Sequence, residues 1–176
     1  MKAVVVGCGR VGSAIAAELD RAGWQVLIID LSSSAFDRLP SSFGGTALRG
    51  DGTDEDSLRR EGAENADLFL ALTEGDNRNV MAAQLAVEAL GARQTVAKIN
   101  DPVRAEAYAH LGITTLCRTN LMTGAVLGFL GQAVPSQPGI YAPERPHTHP
   151  LEDGPAPASA PAPAAATAGT TGSTEA

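Results

Sequence analysis

Short apolar runs alternate with stretches of helical period along roughly the first 130 residues of the 176-residue chain. Lys2–Val6, Gln25–Asp30, Thr46–Arg49, Asp67–Thr73, Thr95–Ile99 and Gly112–Leu116 read as six strands. Between them, Arg10–Ala22, Ser34–Leu39, a stretch around Leu58, Asp76–Gly91 and a stretch opened by Asp101 and Pro102 read as helices. In the first helix Val11, Ala14, Ile15, Ala17 and Leu19 are the candidates to face a sheet. The punctuation agrees with this division: Gly23 and Pro40 stop helices, Thr53 or Asp54 caps one, and Pro102 sits in a first turn, where its missing N–H costs nothing. Alternation of strand and helix predicts right-handed crossovers and a parallel sheet covered on both faces. After the sixth strand, Leu121–Leu130 is apolar on more than one face. That surplus fits either a partner surface or a cover for the sheet edge.

The pattern stops after Gln132. Residues 152–176 hold no Lys, Arg or aromatic residue and are dominated by Ala, Pro, Thr and Gly, so they bury too little apolar area to offset the entropy of ordering. The expected organisation is one folded domain over residues 1–131 and a disordered tail over 132–176. Hydrophobic residues make up 44% of the chain and aromatics only 4%, which implies a core of Val, Leu, Ile and Ala, as in parallel sheets. A net charge of −7 and the lack of a basic stripe argue against nucleic acid. The first strand leaves no room for a signal peptide, and no apolar run approaches the roughly 18 residues of a membrane span, so a soluble cytoplasmic protein is expected. Cys8 and Cys117 lack metal-ligand spacing and are expected to be reduced thiols. His110, His147 and His149 do not make a metal site, so none is expected.

The first strand runs into Gly7-Cys8-Gly9-Arg10-Val11-Gly12, and the second ends at Asp30, eighteen residues beyond Gly12. Strand, glycine turn, helix and acid in this order form a dinucleotide-binding half: Gly7 allows the tight turn, Gly9 lets phosphate approach the backbone, and Gly12 lets the helix pack on the strand. The helix offers free N–H groups to the anion. Asp30, with Leu31 after it, is placed to accept ribose hydroxyls and repel a 2′-phosphate. The fold class is therefore α/β, a doubly wound Rossmann sheet of six parallel strands.

Other candidates fall on the same rim, where such folds bind ligands. Asp51, beside Gly52, reads as a partner for an adenine amino group or as an ordinary turn residue. Leu72 and Thr73 end the fourth strand beneath the nucleotide, with Thr73 the direct contact. Lys98 reads as a phosphate contact or an exposed strand-end charge. Arg10 can fork onto a terminal phosphate, its own ligand's or a neighbour's, or be solvated at the helix start. Cys8 at a helix N-terminus reads as a thiol of lowered pKa, open to redox sensing, or as a small filler. No nucleophilic triad or carboxylate pair stands out, which weighs against an enzyme. An NAD-dependent oxidoreductase and a redox-sensing module stay as alternatives.

Taken together, the glycine turn, Asp30, Gly50-Asp51-Gly52-Thr53-Asp54, Ala71-Leu72-Thr73-Glu74-Gly75-Asp76-Asn77 and Lys98-Ile99-Asn100-Asp101-Pro102 closely resemble the N-terminal nucleotide-binding domain of Trk-type potassium-uptake regulatory proteins, also called RCK-N or KTN. The resemblance covers about residues 1–131. It implies a non-enzymatic peripheral subunit on the cytoplasmic face of the membrane that binds NAD(H) or ATP/ADP, assembles as dimers and octameric rings, and gates a potassium channel or transporter. It puts Gly7, Gly9, Arg10, Val11 and Gly12 on the phosphates, Asp30 on ribose, Asp51 near adenine, and Thr73 and Lys98 along the rim. It also implies that Leu121–Leu130 crosses between paired subunits. Some relatives hold a divalent cation with a glutamate just after the sixth strand. Here Arg118, Thr119 and Asn120 stand there instead, so that site is not carried over. No RCK-C module is expected downstream, which implies a companion regulatory subunit.

Overall fold

The computed structural model describes residues 1–134 and 138–143. The elements alternate as the sequence pattern requires: β1 (Lys2–Val6), α1 (Arg10–Arg21), β2 (Gln25–Asp30), a 3-10 turn (Ser33–Arg38), β3 (Thr46–Arg49), α2 (Glu55–Arg60), β4 (Leu68–Ala71), α3 (Asp76–Glu88), β5 (Thr95–Ile99), α4 (Pro102–Ala109), β6 (Thr114–Cys117), α5 (Arg118–Phe129) and β7 (Ile140–Tyr141). The strands order as β3-β2-β1-β4-β5-β6-β7 in one sheet. The first six are parallel, and the order reverses between β1 and β4, which is the switch point where Rossmann sheets open a crevice.

The seventh strand corrects the expected count of six and reaches past the expected boundary at 131. β7 runs antiparallel to β6, pairing Thr115 with Tyr141 and Leu116 with Ile140. Two residues are too few to show a period, so no pattern betrays them. Tertiary contacts fix them instead: the Cys117 N–H donates to the Gly139 carbonyl at 2.8 Å, and the Asn120 amide donates to the Tyr141 hydroxyl and the Pro138 carbonyl at 3.2 Å each. The expectation of a disordered tail, with His147 and His149, otherwise lies outside the described residues.

Strand alternation splits the core into two layers. Val4, Val6, Phe69, Ala71, Ala97 and Ile99 point to the side covered by α2, α3 and α4, where Leu58, Ala82, Ala83, Ala86 and Ala105 meet them. The small residues of α3 let its backbone lie close to the sheet. On the opposite side Val5, Ile28 and Leu70 pack with Ala16 of α1 and with Ala35 and Phe36 of the 3-10 turn. Asp54 caps α2 by accepting from the Ser57 N–H, worth about 1 kcal/mol, and Asp101 caps α4 from the Val103 N–H at 2.9 Å.

The buried face of α1 differs from the expected one. Gly12, Ser13 and Ala16 are buried, Ile15 and Leu19 are half-buried, and Val11 is 56% exposed. The helix lies so close to β1 that a glycine and a serine occupy the contact, and hydrophobicity alone is blind to both. At the other end of the fold, none of the twelve residues of α5 is buried. Leu121, Met122, Val126, Phe129 and Leu130 are all exposed, Phe129 at 90%. Val96, Thr114 and Leu116 of the sheet are only half-buried. Among the described residues no helix is long and apolar enough to cross a membrane.

Candidate functional site

The C-terminal ends of β1, β2, β3 and β4 enclose a cleft of about 200 Å³ lined by Val6, Gly7, Gly9, Ile29, Asp30, Leu31, Gly50, Gly52, Leu72, Thr73, Glu74 and Arg78. Its floor is the turn after β1. Gly7 has φ +105°, and its N–H donates to the Ile29 carbonyl at 2.7 Å. A Cβ there would lie 2.9 Å from the Thr73 nitrogen, so both conformation and space require glycine.

The remaining glycines are small for different reasons. A Cβ on Gly12 would fall 1.9 Å from the Gly7 carbonyl oxygen, and one on Gly52 2.1 Å from Val6 Cγ1, so both serve internal packing. Gly9 has φ −75° and ψ −173°, open to any residue, and a Cβ there would meet nothing within 4 Å. Among the described residues nothing requires a glycine at this position, which faces the cleft and heads α1. No side chain caps α1, and its first internal bond is from the Ser13 N–H to the Gly9 carbonyl at 2.9 Å, so the N–H groups of Arg10, Val11 and Gly12 have no partner within the helix. Unfilled space over unpaired donors suits an anion.

Asp30 ties the two halves of the cleft together. One carboxylate oxygen accepts from the Cys8 N–H at 2.7 Å and the other from the Ser32 N–H at 2.9 Å, which fixes the group at the wall with lone pairs left for hydroxyl donors. Thr73 stands opposite. Its N–H and hydroxyl both donate to the Asn79 side-chain oxygen, at 2.8 and 2.7 Å. Fully buried Asn79 in turn donates to the carbonyls of Thr73 and Lys98, at 3.0 and 2.8 Å, and so clamps the ends of β4 and β5 together. With its proton engaged, the Thr73 hydroxyl meets a ligand chiefly as an acceptor.

The sequence candidates divide into groups. Gly7, Gly9, Asp30, Leu31, Gly52, Leu72 and Thr73 converge on the cleft. Cys8 and Gly12 lie just beneath it as packing residues. Arg10 and Val11 are exposed on the first turn of α1, outside the lining. Asp51 is also outside it: its carboxylate accepts from the Thr53 hydroxyl and N–H at 2.8 and 3.0 Å, so the structure gives it the turn-forming role. Those two bonds, the hydroxyl's first, hold the Asp51 carboxyl below its ordinary range. Lys98 is 8% exposed and its Nζ lies 3.5 Å from Glu74 Oε1, which rules out an exposed strand-end charge and places it behind the lining.

Of the two readings of Cys8, its burial fits the small filler. Burial, and then the charge of Asp30, push its pKa up, against the lowering expected at a helix start, and its Sγ rests 3.3 Å from the Ala35 carbonyl. A buried thiol of raised pKa is poorly suited to redox sensing.

Sequence reasoning missed Glu74, Arg78 and Asn79 as functional positions. For Arg78 and Asn79 the signal was available in Asp76-Asn77-Arg78-Asn79, a polar first turn of a helix otherwise rich in alanine, in the segment that follows the strand bounding the cleft.

A parallel sheet reversing at β1/β4, an uncapped helix behind a glycine turn, and an acid ending β2 define a Rossmann-type nucleotide-binding architecture. The TrkA-N domain family matches residues 3–119, and the chain belongs to it. The chain is 48% identical over 116 residues to the Trk system potassium uptake protein TrkA of Streptomyces coelicolor, a match covering 66% of this chain and 52% of that one. It spans about half the length of the curated relatives it first matches. Among solved structures, the TrkA-N domain of the inner membrane protein ybaL from Escherichia coli superposes with a TM-score of 0.65 at 18% identity, covering 73% of this chain and 96% of that one. The GsuK channel, in NAD-bound and ADP-bound forms, gives a TM-score of 0.59 at 16% identity in each case, covering 72% and 73% of this chain and 23% and 34% of those.

Proposed function

We propose that this chain is a nucleotide-sensing regulatory part of a potassium-uptake system, binding NAD(H) or ATP/ADP in the cleft between β1 and β4 and acting on a membrane potassium transporter or channel from its cytoplasmic face. The observation that carries the reading is Gly9, a glycine with no internal reason to lack a side chain, over the uncapped start of α1. Phosphate sits there, ribose hydroxyls donate to Asp30, and the base lies toward Gly50 and Gly52. The Streptomyces relative is named for potassium uptake, and the GsuK neighbours carry NAD and ADP, which supports both halves of the reading.

Function in this reading is recognition without turnover. The lining offers one fixed carboxylate, a threonine, Glu74 and Arg78 among glycine and aliphatic groups, which is enough to hold and orient a nucleotide. A ligand acts on the transporter only if it binds two arrangements of the assembly with different affinity. The second copy or companion subunit needed for this docks on the exposed apolar surface of α5. Where the chain pairs with a second copy, Phe129→Asp, at the most exposed of those positions, is expected to shift it to monomer in mass measurements while circular dichroism shows the fold retained. An unchanged mass of such a pair would remove α5 from the interface between copies.

Arg10 lies outside the lining of its own cleft and is assigned to a terminal phosphate, its own ligand's or a neighbour's. Arg10→Ala is expected to narrow the preference between ATP and ADP while leaving ADP affinity nearly unchanged; equal losses for both nucleotides would refute that role. The reading as a whole is tested by measuring mass in solution with NAD, NADH, ADP and ATP in turn, alongside NADH consumption over a panel of small carbonyl compounds. Nucleotide-dependent assembly without consumption supports a regulatory subunit. Turnover would restore the oxidoreductase alternative.

A further inference from the structure

Glu74 follows Thr73 on the cleft rim and joins the lining together with Gly7 and Gly9. Its carboxylate stands between two cations from different elements: Lys98 Nζ of β5 is 3.5 Å from Oε1, and Arg118 Nη1, from the first residue of α5, is 4.0 Å from Oε2. Among the described residues, no other carboxylate comes within ion-pair distance of either cation. The three groups are unequally solvated. Glu74 is 86% exposed at its side chain and Arg118 60%, but Lys98 only 10%. A poorly solvated ammonium needs a counter-anion nearby, whereas an exposed carboxylate loses little by swinging into water. The carboxylate is therefore the replaceable member of the cluster.

Phosphate seated over Gly9 shares the cleft with this carboxylate. Each further phosphate group brings negative charge toward Glu74, and the repulsion grows with the length of the phosphate chain. If Glu74 turns away, Lys98 and Arg118 present two positive charges in its place. We propose that Glu74 is a specificity-determining residue that shields Lys98 and Arg118 from the ligand and so limits how much phosphate charge the cleft accepts. The inference rests on the nucleotide reading above and deepens it. The ligand class it concerns is a nucleoside di- or triphosphate, whose terminal phosphate competes with Glu74 for the two cations. Because Arg118 is also the first residue of α5, that competition is felt at the start of the helix that carries the exposed apolar surface.

The test is calorimetric titration of the full chain and its Glu74→Gln variant with AMP, ADP and ATP, at low and high salt. Removing the carboxylate charge is expected to raise ATP affinity about tenfold relative to AMP, with ADP between them and with the gain shrinking at high salt. Adding Arg118→Gln to E74Q, a change at an exposed side chain, is expected to reverse part of the gain. AMP and ATP changing by one common factor, or an ATP/AMP ratio left where it was, would overturn the assignment while leaving nucleotide binding intact. Absence of binding by wild type and variant alike would sink the nucleotide reading and this inference with it.

Discussion

Gly12→Ala is expected to destabilise the fold by about 3 kcal/mol and to lower the melting temperature by roughly 10 °C. The new methyl group would lie 1.9 Å from the Gly7 carbonyl oxygen and 3.1 Å from its carbonyl carbon, with Val5 Cγ1 close behind at 3.6 Å. The two close atoms are backbone, and Gly7 cannot retreat. Its own N–H is bonded to Ile29, and its Cα side is pressed against Thr73 and Leu72. Relief has to come from lifting α1 off the sheet, which opens the layer formed by Val5, Ala16 and Ile28. Thermal unfolding measured by circular dichroism checks this. A melting temperature within a degree or two of wild type would show that the helix has slack the structure does not contain.

Gly9→Ala has the opposite signature. The alanine methyl meets no atom within 4 Å, and the backbone there is in an ordinary extended conformation, so stability is expected to change by less than about 1 kcal/mol. The methyl group nevertheless stands where, under the proposed function, phosphate approaches the N–H groups that have no partner within α1. Losing those charge-assisted hydrogen bonds costs about 3 kcal/mol, on the order of 100-fold in Kd. Two neighbouring glycines of one motif are thus expected to separate, Gly12 acting on the fold and Gly9 on the proposed ligand. Nucleotide affinity maintained in Gly9→Ala would mean that the phosphates sit elsewhere.

That separation also marks what the sequence could and could not show. Lys2–Val6, Gln25–Asp30, Thr46–Arg49 and Thr95–Ile99 are legible to the residue, because β-branched and aliphatic runs bracketed by Gly, Pro and Asp leave few other choices. The spacing of Gly7, Gly9 and Gly12 is legible as a motif. Which glycine is small for packing and which for a ligand is not, since the answer depends on the distance to a carbonyl on the far side of the turn. The contact face of α1 is only partly legible for the same reason: Ile15 and Leu19 pack against the core as their spacing suggests, but Gly12 and Ser13 are buried at the contact and Val11 is exposed.

Lys98 shows a second kind of limit. A lysine at a strand end reads either as a phosphate contact or as an exposed charge, and only the packing around β5, with Glu74 within 3.5 Å of its head group, buries it. The two-residue β7 strand carries no period and is created by its neighbours on β6 and by Asn120. Asn79, which fixes the position of Thr73, reads in the sequence as one more polar residue in a helix's first turn. By contrast, the apolar excess of α5 is visible in the sequence and left exposed among the described residues, which is why a partner is proposed for it.

The most direct measurement is a calorimetric titration of the full chain with NAD, NADH, ADP and ATP, run in parallel on Gly9→Ala. Saturable binding of at least one of these nucleotides by the wild-type chain is expected, with a loss on the order of 100-fold in the variant and both proteins equally folded. No heat from any nucleotide, or equal affinity in the two proteins, would contradict the claim that the space over Gly9 is the phosphate site.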